Sequence, residues 1–393
     1  MNLSKKAIQT NPSPTLSIDA KFKEMIASGI DVIGFGAGEP DFDTPEHIKD
    51  AAIAAIKAGQ TKYTPASGTN ELKKAICEKL QKDNCLSYNI SDIVVSNGAK
   101  HSLANAFSAI LNPGDEVIIP APFWVSYPEL VKLADGVPVA LHTDESTNFK
   151  FSPQQLAAAI TPKTKALIVN SPSNPTGMVY SKAELAEIAK IVVDNDLFAV
   201  SDEIYEKLIY EGEHYSIASF GEDIKAKTIV VNGVSKSYAM TGWRIGYTAS
   251  NPQIAKVMAN IQSHLASNPS SISQAAAVAA LSGSQNSVSS MRDEFALRRD
   301  YIVKAINAIP GASCLTPQGA FYVMMNIKSF LGGQIKGKVI NNSDEFCAHA
   351  LEVAKVALVP GSGFEAEGYV RWSYATDLGK IKEGIKRITN FLS

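Results

Sequence analysis

The chain has 393 residues, of which 45% are hydrophobic and 19% are charged. This length favours two domains, and the composition is ordinary for a soluble globular protein. The 37 Lys and Arg against 39 Asp and Glu give a formal charge of −2, so no basic excess indicates a nucleic acid or a membrane surface as partner.

The cysteines and the chain start indicate a cellular compartment. Cys77, Cys85, Cys314 and Cys347 form neither a C-x-x-C pair nor a metal-binding spacing. Free thiols of this kind are typical of a reducing cytosol. The first residues lack an apolar signal core, and no run of about 18 apolar residues is present. We therefore expect a cytoplasmic protein without a membrane span and without a metal site.

The first part of the chain predicts a polar arm and a helix near residues 17–28. A glycine-rich stretch follows, Gly34-Phe35-Gly36-Ala37-Gly38. Its third glycine comes too early for the dinucleotide fingerprint G-x-G-x-x-G, and Pro40 bars the helix that the fingerprint needs. We therefore interpret the stretch as a loop rather than a nicotinamide site. Next come a helix over 45–58, with Pro45 in its first turn, and a polar loop that contains Tyr63.

Four strand-like apolar runs in the middle of the chain each end at a chemically active group. The first run, 93–96, leads into a Gly turn and a helix start, which is a favourable phosphate seat because free amides and the helix dipole attract anions. Open α/β sheets bind ligands outside the carboxyl ends of their strands, so we expect the four groups to converge. They are Asn97-Gly98, Asn174, Asp202 and Lys236.

The remaining elements are predicted from the same kind of pattern. A strand over 116–119 precedes a helix start that contains Trp124, and a capping box at Ser181 opens another helix. Arg371 places a charge inside a strand, where it should face an anion. The later elements are a strand at 244–249, a helix-rich stretch at 252–309, a second sheet from 318–324, 356–361 and 370–374, and a last helix at 377–392.

Each candidate residue has a structural alternative on sequence alone. These alternatives are an exposed loop tyrosine for Tyr63, a core tryptophan for Trp124, a plain turn for Asn174, a helix-start acid for Asp202, a core tyrosine for Tyr205 and a solvent-facing edge arginine for Arg371.

The stretch from Ser235 to Tyr247 carries the most specific pattern, S-K-x-x-x-x-x-G-x-R-x-G-Y. A lysine here suits a Schiff base with an aldehyde cofactor, whose phosphate Ser235 and Arg244 would hold through a hydroxyl and a planar guanidinium. The pattern resembles the lysine segment of class I aminotransferases, the pyridoxal-phosphate enzymes of fold type I. The resemblance runs through nearly the whole chain and is closest to the bacterial aspartate aminotransferases.

The resemblance implies an α/β fold. A large domain with a mostly parallel seven-stranded sheet between helices is joined to a smaller α+β domain formed by both chain ends. The implied boundaries are 1–44 for the arm and part of the small domain, 45–285 for the large cofactor-binding domain, and 286–393 for the rest of the small domain. A homodimer is implied, with Tyr63 reaching the neighbouring subunit's cofactor phosphate and the active sites at the interface.

The resemblance also assigns residues. Lys236 is the catalytic lysine, Asp202 keeps the pyridine nitrogen protonated, and Trp124 stacks on the ring. The implied cofactor-binding residues are Gly98, Ala99, Trp124, Asn174, Asp202, Tyr205, Ser235, Lys236, Arg244 and Tyr63. The implied substrate-binding residues are Gly38, Trp124, Asn174, Arg371 and Lys100, with Arg371 on the α-carboxylate.

The implied reaction moves the amino group of L-aspartate to 2-oxoglutarate by a ping-pong pyridoxal-phosphate mechanism, giving oxaloacetate and L-glutamate. The resemblance leaves Lys100 as a candidate for the distal carboxylate. The 263–271 stretch, where some relatives carry an arginine that recognises this group, contains none. Asn11-Pro12-Ser13 lacks the basic residue that relatives using prephenate carry, so we expect weak or absent prephenate activity.

Three alternatives remain open. They are an aminotransferase for aromatic or other donors, a pyridoxal-phosphate lyase of the same fold, and a transcription regulator built on this fold. The regulator would need a DNA-binding domain, for which residues 1–30 are too short and insufficiently basic.

Overall fold

The computed structural model describes residues 3–8, 10 and 14–393. The Asn11-Pro12-Ser13 pattern lies outside the described residues.

The helices are α1 (Lys5–Ile8), α2 (Pro14–Ala27), α3 (Glu46–Lys57), α4 (Asn70–Asn84), α5 (Ala99–Ile110), α6 (Ser126–Leu133), α7 (Pro153–Ala159), α8 (Lys182–Asp194), α9 (Glu222–Lys227), α10 (Pro252–Leu265), α11 (Ser271–Ser282), α12 (Asn286–Asn307), α13 (Ser343–His349) and α14 (Leu378–Leu392). The strands are β1 (Ile33–Gly34), β2 (Ile93–Ser96), β3 (Glu116–Ala121), β4 (Val137–His142), β5 (Thr164–Asn170), β6 (Phe198–Asp202), β7 (Thr228–Gly233), β8 (Gly246–Ala249), β9 (Tyr322–Asn326), β10 (Gln334–Ile335), β11 (Lys338–Val339), β12 (Val356–Ala357), β13 (Val359–Pro360) and β14 (Tyr369–Ser373).

The large sheet has seven strands in the order β2-β8-β7-β6-β5-β3-β4. Strand β8 runs antiparallel to β2 and β7, and the other neighbours are parallel. The predicted α/β class with a mostly parallel seven-stranded sheet is therefore confirmed. Within the described ranges, no helix has the length and apolar character needed to span a membrane.

Both faces of this sheet are covered, which explains the continuous apolar runs in its strands. Successive side chains of a strand point to opposite faces. On β5, Leu167 packs in the cluster that contains Leu185 of α8, whereas Ile168 packs in the cluster that contains Phe107 of α5. A run without polar residues is therefore the expected pattern for these strands.

The helix starts follow local sequence signals. The predicted capping box is present before α8: the Glu184 amide donates to Ser181 Oγ at 3.3 Å, and the Ser181 amide donates to Glu184 Oε2 at 2.7 Å. Pro45 immediately precedes α3 rather than lying in its first turn. Asp377 caps α14 through the amide of Gly379 at 2.8 Å.

A second, smaller sheet holds Arg371. Strands β13, β14 and β9 pair antiparallel in that order, and β1 pairs in parallel with β12. The β1–β12 pair joins the early part of the chain to its last fifth, as expected for a small domain built from both chain ends. Its core includes Phe35, Phe295 and Trp372. The exact domain boundaries at 44/45 and 285/286 stay a prediction.

Candidate active site

A cavity of about 340 Å³ opens where the carboxyl ends of the large-sheet strands face the small sheet. Most of the residues singled out from the sequence line it. They are Gly38, Ala99, Lys100, Trp124, Asn174, Asp202, Tyr205, Ser235, Lys236, Arg244 and Arg371. The convergence expected from the strand-end rule is thus present, although the role of each residue stays a prediction.

One end of the cavity is suited to an anion. Helix α5 begins at Ala99 after Gly98, whose φ of +87° is unfavourable for other residues, and no side chain caps this helix start. A Cβ at Gly98 would lie 2.3 Å from Arg244 Nη2, and a Cβ at Gly246 would lie 2.2 Å from the Ala99 amide nitrogen. The two glycines therefore allow a guanidinium and a strand to approach the helix N-terminus, where free amides favour negative charge.

Arg244 is held against that helix start by backbone contacts. Its Nη1 donates to the Thr241 carbonyl at 2.8 Å, and its Nη2 donates to the Asn97 carbonyl at 3.2 Å. Its φ of +58° places the backbone in the left-handed region, which is uncommon for a side chain of this size. Carbonyl groups leave the charge of the guanidinium uncompensated, so it can also bind an anion.

Lys236 follows β7 and its amine lies in the cavity wall. Its Nζ donates to the Gly38 carbonyl at 2.6 Å. Burial lowers the pKa of this amine to about 8, with Arg244 and Arg371 acting in the same direction and Glu39 opposing them. An amine with this pKa is substantially neutral in mildly alkaline solution, which is the form that attacks an aldehyde or accepts a proton.

Asp202 ends β6 and is buried. Its Oδ2 accepts from the Tyr127 hydroxyl at 2.7 Å, and its Oδ1 accepts from the Ile204 amide at 3.3 Å. Burial raises the pKa of Asp202 to about 6, although both hydrogen bonds counteract the rise. Among the described residues, no basic side chain forms an ion pair with it, so a cationic ligand group would stabilise its ionised form.

Trp124 lies in the wall near the helix start of α5. Its ring meets Tyr127 edge-on, with ring centroids 5.3 Å apart and an angle of 88° between the planes. Lys100 Nζ lies 4.9 Å from the centre of the Trp124 ring. Burial and the charge of Arg244 both lower the pKa of Lys100. The core alternative for Trp124 fits less well, because the ring is only partly buried and borders the cavity.

Arg371 enters from the small sheet and is buried. Its Nη1 donates to Asn174 Oδ1 at 2.9 Å and its Nη2 donates to the Gly36 carbonyl at 2.8 Å. Its Nε has no hydrogen-bond partner among the described residues. Burial lowers the pKa of the guanidinium. The solvent-facing alternative does not hold, because the side chain is buried. The hydrogen bonds of the guanidinium go to neutral groups, so its charge remains available for an anion.

Tyr63 does not line its own chain's cavity and is 92% exposed. The loop that carries it is nevertheless anchored. Gln274 Oε1 accepts from the Thr69 amide at 2.8 Å, and its Nε2 donates to Thr64 Oγ1 at 3.1 Å. Buried Gln262 donates to the Ala66 carbonyl at 2.6 Å. An anchored loop therefore presents a fully accessible tyrosine, and its expected entry into a partner's site stays a prediction.

Sequence reasoning missed six residues that line the cavity, among them Tyr127 and Tyr322. Tyr127 lies three positions after Trp124 across the start of α6, so helical spacing alone was a usable signal for it. Tyr322 begins β9, and no local pattern ties it to the other motifs. Both hydroxyls form buried hydrogen bonds to residues that the sequence did identify, Asp202 and Tyr205.

Comparison with known proteins identifies the family. Residues 30–388 match the family described as aminotransferase class I and II. The chain belongs to this family. An aspartate aminotransferase from Bacillus sp. (strain YM-2) is 53% identical over 391 residues, covering 99% of both sequences. The resemblance inferred from the lysine segment is thereby confirmed, and the regulator alternative is not supported by these relatives.

Solved aminotransferase structures match over the full length. An aspartate aminotransferase from Rhizobium meliloti has a TM-score of 0.96 at 44% identity, covering 100% of both chains. An aspartate aminotransferase from Thermus thermophilus with maleate has a TM-score of 0.95 at 42% identity, also covering 100% of both chains. The protein is therefore a pyridoxal 5'-phosphate-dependent aminotransferase acting on small amino and 2-oxo acids.

The cavity fits this cofactor on its own chemistry. The uncapped start of α5 beside Arg244 suits the phosphate, and Lys236 has an amine with a lowered pKa for the aldehyde. Asp202 is a buried carboxyl group without a cationic partner among the described residues, which suits a protonated ring nitrogen. The three groups border one cavity, so a single molecule can contact all of them.

Proposed function

We propose that this enzyme is an aspartate aminotransferase that moves the amino group of L-aspartate to 2-oxoglutarate, giving oxaloacetate and L-glutamate in two half-reactions. The observation that carries the proposal is the cavity itself, in which Lys236, Asp202 and the partly unpaired Arg371 meet. The relatives named above support the choice of aspartate, because they are aspartate aminotransferases.

The cofactor would be held by groups at three corners of the cavity. The amides of Gly98 and Ala99, with Ser235 and Arg244, would bind the phosphate. Asp202 would pair with the ring nitrogen, and Trp124 would stack on the ring. Asn174 and Tyr205 would hydrogen-bond the phenolic oxygen. When bound, pyridoxal phosphate forms a covalent link to an amine and withdraws electrons from the substrate α-carbon.

Lys236 performs the proton transfer in this scheme. With the substrate held beside the cofactor, the neutral Nζ of Lys236 would take the proton from the substrate α-carbon. Arg371 orients that carbon by binding the α-carboxylate, for which it offers its unpaired Nε. The Gly38 carbonyl, which accepts from Lys236 Nζ at 2.6 Å, holds the amine near the loop that covers the substrate.

Lys100 is the proposed partner of the substrate's distal carboxylate. It lines the cavity beside Trp124, and the 263–271 stretch offers no arginine for this task. Burial and the nearby charge of Arg244 make the Lys100 amine costly to charge, so an added carboxylate would stabilise its charged form. The acid substrates aspartate and 2-oxoglutarate both supply that carboxylate.

An absorption spectrum of the purified enzyme tests the proposal directly. We expect a visible band from the bound cofactor that changes on adding aspartate and reappears with 2-oxoglutarate. Oxaloacetate should accumulate as the first product. Aromatic or branched donors that outperform aspartate in kcat/KM would contradict the aspartate assignment. Release of pyruvate and ammonia from a β-substituted amino acid, with no 2-oxo acid formed from aspartate, would indicate the lyase instead.

Replacement of Lys100 by methionine tests the distal carboxylate. We expect KM for aspartate to rise about tenfold, because a charge-assisted contact is lost, whereas turnover of alanine stays within about twofold of the wild type. Methionine keeps the length and the apolar stem of the side chain. An equal loss for both donors would assign Lys100 to general packing rather than to recognition of the second carboxylate.

We also propose a homodimer in which Tyr63 enters the partner's site, and a cytoplasmic location in accord with four free cysteines. Tyr63 is 92% exposed on a loop anchored by two buried glutamines, which is a poor arrangement for an isolated subunit. Sedimentation should give twice the mass of one chain, and cell fractionation should place the enzyme with cytoplasmic markers.

Mixed dimers test the role of Tyr63. Lys236→Ala and Tyr63→Ala subunits are each inactive or impaired, but random pairing should restore up to about a quarter of the wild-type sites. The matched control mixes Lys236→Ala with Arg244→Ala, where both changes affect one chain's own site and no intact site can form. Recovery in neither mixture would contradict the shared-site proposal.

A further inference from the structure

Tyr322, the first residue of β9, contacts several parts of the active site from the small domain. It is 1% exposed, and its hydroxyl lies 2.8 Å from the hydroxyl of Tyr205. The two rings meet edge-on, with centroids 5.8 Å apart and an angle of 83° between the planes. This contact joins the small sheet to the segment that follows Asp202 on the large sheet.

The ring of Tyr322 supports Arg371. In the β14–β9 pair, Arg371 lies opposite Met324 and Ser373 lies opposite Tyr322, which makes Tyr322 the diagonal neighbour of Arg371 on one face. The Arg371 guanidinium carbon lies 4.4 Å from the centre of the Tyr322 ring. A guanidinium over an aromatic face gains cation–π attraction, and this gain is larger in a desolvated site.

The Tyr322 hydroxyl also lies close to the loop that contains Gly38. A Cβ at Gly38 would lie only 2.8 Å from the Tyr322 hydroxyl oxygen, so the glycine allows this hydroxyl to approach the loop. The carbonyl of Gly38 accepts from Lys236 Nζ. Tyr322 therefore lies where the loop, the carboxylate-binding arginine and Tyr205 come together.

The hydrogen-bond capacity of Tyr205 determines which hydroxyl donates in the bond between Tyr205 and Tyr322. A phenol has one proton to donate. If Tyr205 donates it to the cofactor's phenolic oxygen, its own oxygen can only accept. Within the described part of the chain, the hydrogen-bond partner of the Tyr205 hydroxyl is Tyr322. Tyr322 must then be the donor, and a phenol that accepts a hydrogen bond becomes a stronger donor in turn.

We propose that Tyr322 is a positioning residue with two separable actions: its hydroxyl donates to Tyr205 and strengthens the bond from Tyr205 to the cofactor, and its ring holds Arg371 in place for the substrate carboxylate. The inference rests on the proposed function, because it needs the cofactor next to Tyr205. Tyr322 would thereby connect recognition of the carboxylate with the electronic state of the cofactor.

Tyr322→Phe isolates the hydroxyl, and the readout is the pH titration of the holoenzyme's absorption band. The cofactor's phenolic oxygen would share its negative charge between the Tyr205 hydroxyl and the proton on Lys236 Nζ. A weaker Tyr205 bond leaves more charge for that proton, so the titration midpoint should rise by about half a pH unit, or about threefold in proton affinity. A midpoint equal to that of the wild type would overturn the hydroxyl action.

A double-mutant cycle with Tyr205→Phe tests whether Tyr322 acts through Tyr205. Tyr205→Phe alone should raise the midpoint more than Tyr322→Phe does. In the Tyr205→Phe background, Tyr322→Phe should then add nothing, because the connection is already broken. Additive shifts would show an action that bypasses Tyr205 and would overturn the proposal. A wild-type enzyme with no absorption band would refute the proposed function instead, so the two failures are distinguishable.

The ring is tested by the binding of maleate, a dicarboxylate without an amino group. Tyr322→Phe keeps the ring and should leave the Kd for maleate within about twofold of the wild type, whereas Tyr322→Leu removes it and should weaken binding about tenfold. If Tyr322→Phe weakens maleate binding as much as Tyr322→Leu does, the ring does not hold Arg371 in place. The same conclusion follows if Tyr322→Leu binds maleate like the wild type. The phenylalanine variant keeps the proposal testable even if the leucine variant does not fold.

Discussion

Asp202 and Glu206 lie four residues apart, and both are buried, yet their environments are opposite. Burial raises the pKa of Asp202 to about 6, and no basic side chain among the described residues pairs with it. Burial acts on Glu206 in the same direction, but Lys79 and His214 outweigh it and hold the pKa of Glu206 at about 2. Glu206 forms an ion pair with Lys79 and accepts from Asn84 Nδ2 at 2.8 Å.

The comparison distinguishes Glu206, whose charge is balanced within the fold, from Asp202, whose charge is left for a ligand. Glu206 has an internal cation and a neutral donor, so its charge contributes to the fold and requires nothing from solution. Asp202 has hydrogen-bond donors but no ion-pair partner among the described residues, so a protonated ring bound beside it would favour its charged form. A buried acid without a partner is thus a better marker of the site than burial alone.

The largest effect should come from Asp202→Asn. Asparagine keeps the shape but removes the charge that, in the proposed function, keeps the cofactor's ring nitrogen protonated, so kcat should fall on the order of 10³-fold. Steady-state kinetics with aspartate measures this loss. The matched control is Lys79→Met/Glu206→Gln, which removes the neighbouring buried pair and should keep kcat within about threefold. An Asp202→Asn enzyme with near-normal kcat would remove the distinction between the two carboxylates.

The next effect concerns stability. Lys79→Met leaves Glu206 buried without its lysine partner, and the free energy of unfolding should fall by about 3 kcal/mol. Adding Glu206→Gln should restore most of the loss, because a neutral pair needs no compensation. Urea denaturation of the three proteins near neutral pH measures both steps. If Lys79→Met is as stable as the wild type, the ion pair contributes nothing to the free energy of unfolding.

Acid should affect this pair within a defined range. The folded-state pKa of Glu206, about 2, lies below its ordinary value of 4.5. The contribution of the ionised group to the free energy of unfolding is therefore complete above about pH 4.5 and is lost as the pH falls towards 2. Unfolding free energies between about pH 5 and pH 3 should therefore decline more steeply for the wild type than for Lys79→Met/Glu206→Gln. Parallel slopes would contradict the lowered pKa.

The smallest effect should come from Tyr127→Phe. The Tyr127 hydroxyl bonds Asp202 and lowers its pKa, so its loss raises that pKa and weakens cofactor binding by about threefold to tenfold. The loss of cofactor affinity should be larger at about pH 6 than at about pH 8, because Asp202 is less ionised at the lower pH. Tyr238→Phe, which removes a buried hydroxyl bonded to Gln285 outside the cavity, should leave the affinity unchanged.

Much of the fold and of the site could be predicted because the signals are local. Apolar runs bounded by Gly and Pro locate the strands, and polar residues at or shortly after the ends of these runs locate Asn174, Asp202 and Lys236. The charge inside β14 likewise pointed to Arg371. These inferences need only neighbours in sequence, together with the rule that parallel strands end at one edge.

The remaining contacts depend on distant parts of the chain. Tyr127 and Asp202 are 75 positions apart, and Tyr205 and Tyr322 are 117 apart. Lys79 and Glu206 each have the sequence context of an ordinary surface charge, and only the packing of α4 against the 203–206 segment buries them. No local sequence pattern indicates contacts between such distant residues. The position of the cavity could therefore be predicted, but its complete set of hydrogen bonds could not.

The pairing of β1 with β12 constrains the order of events during synthesis. Ile33 and Gly34 leave the ribosome early, but their partners Val356 and Ala357 follow more than 300 residues later. The strands of the large sheet, which all lie between residues 93 and 249, emerge well before that. The loop at Gly36 and Gly38 therefore remains without its small-domain neighbours until the chain is almost finished, and Arg371, the proposed carboxylate-binding residue, emerges later still.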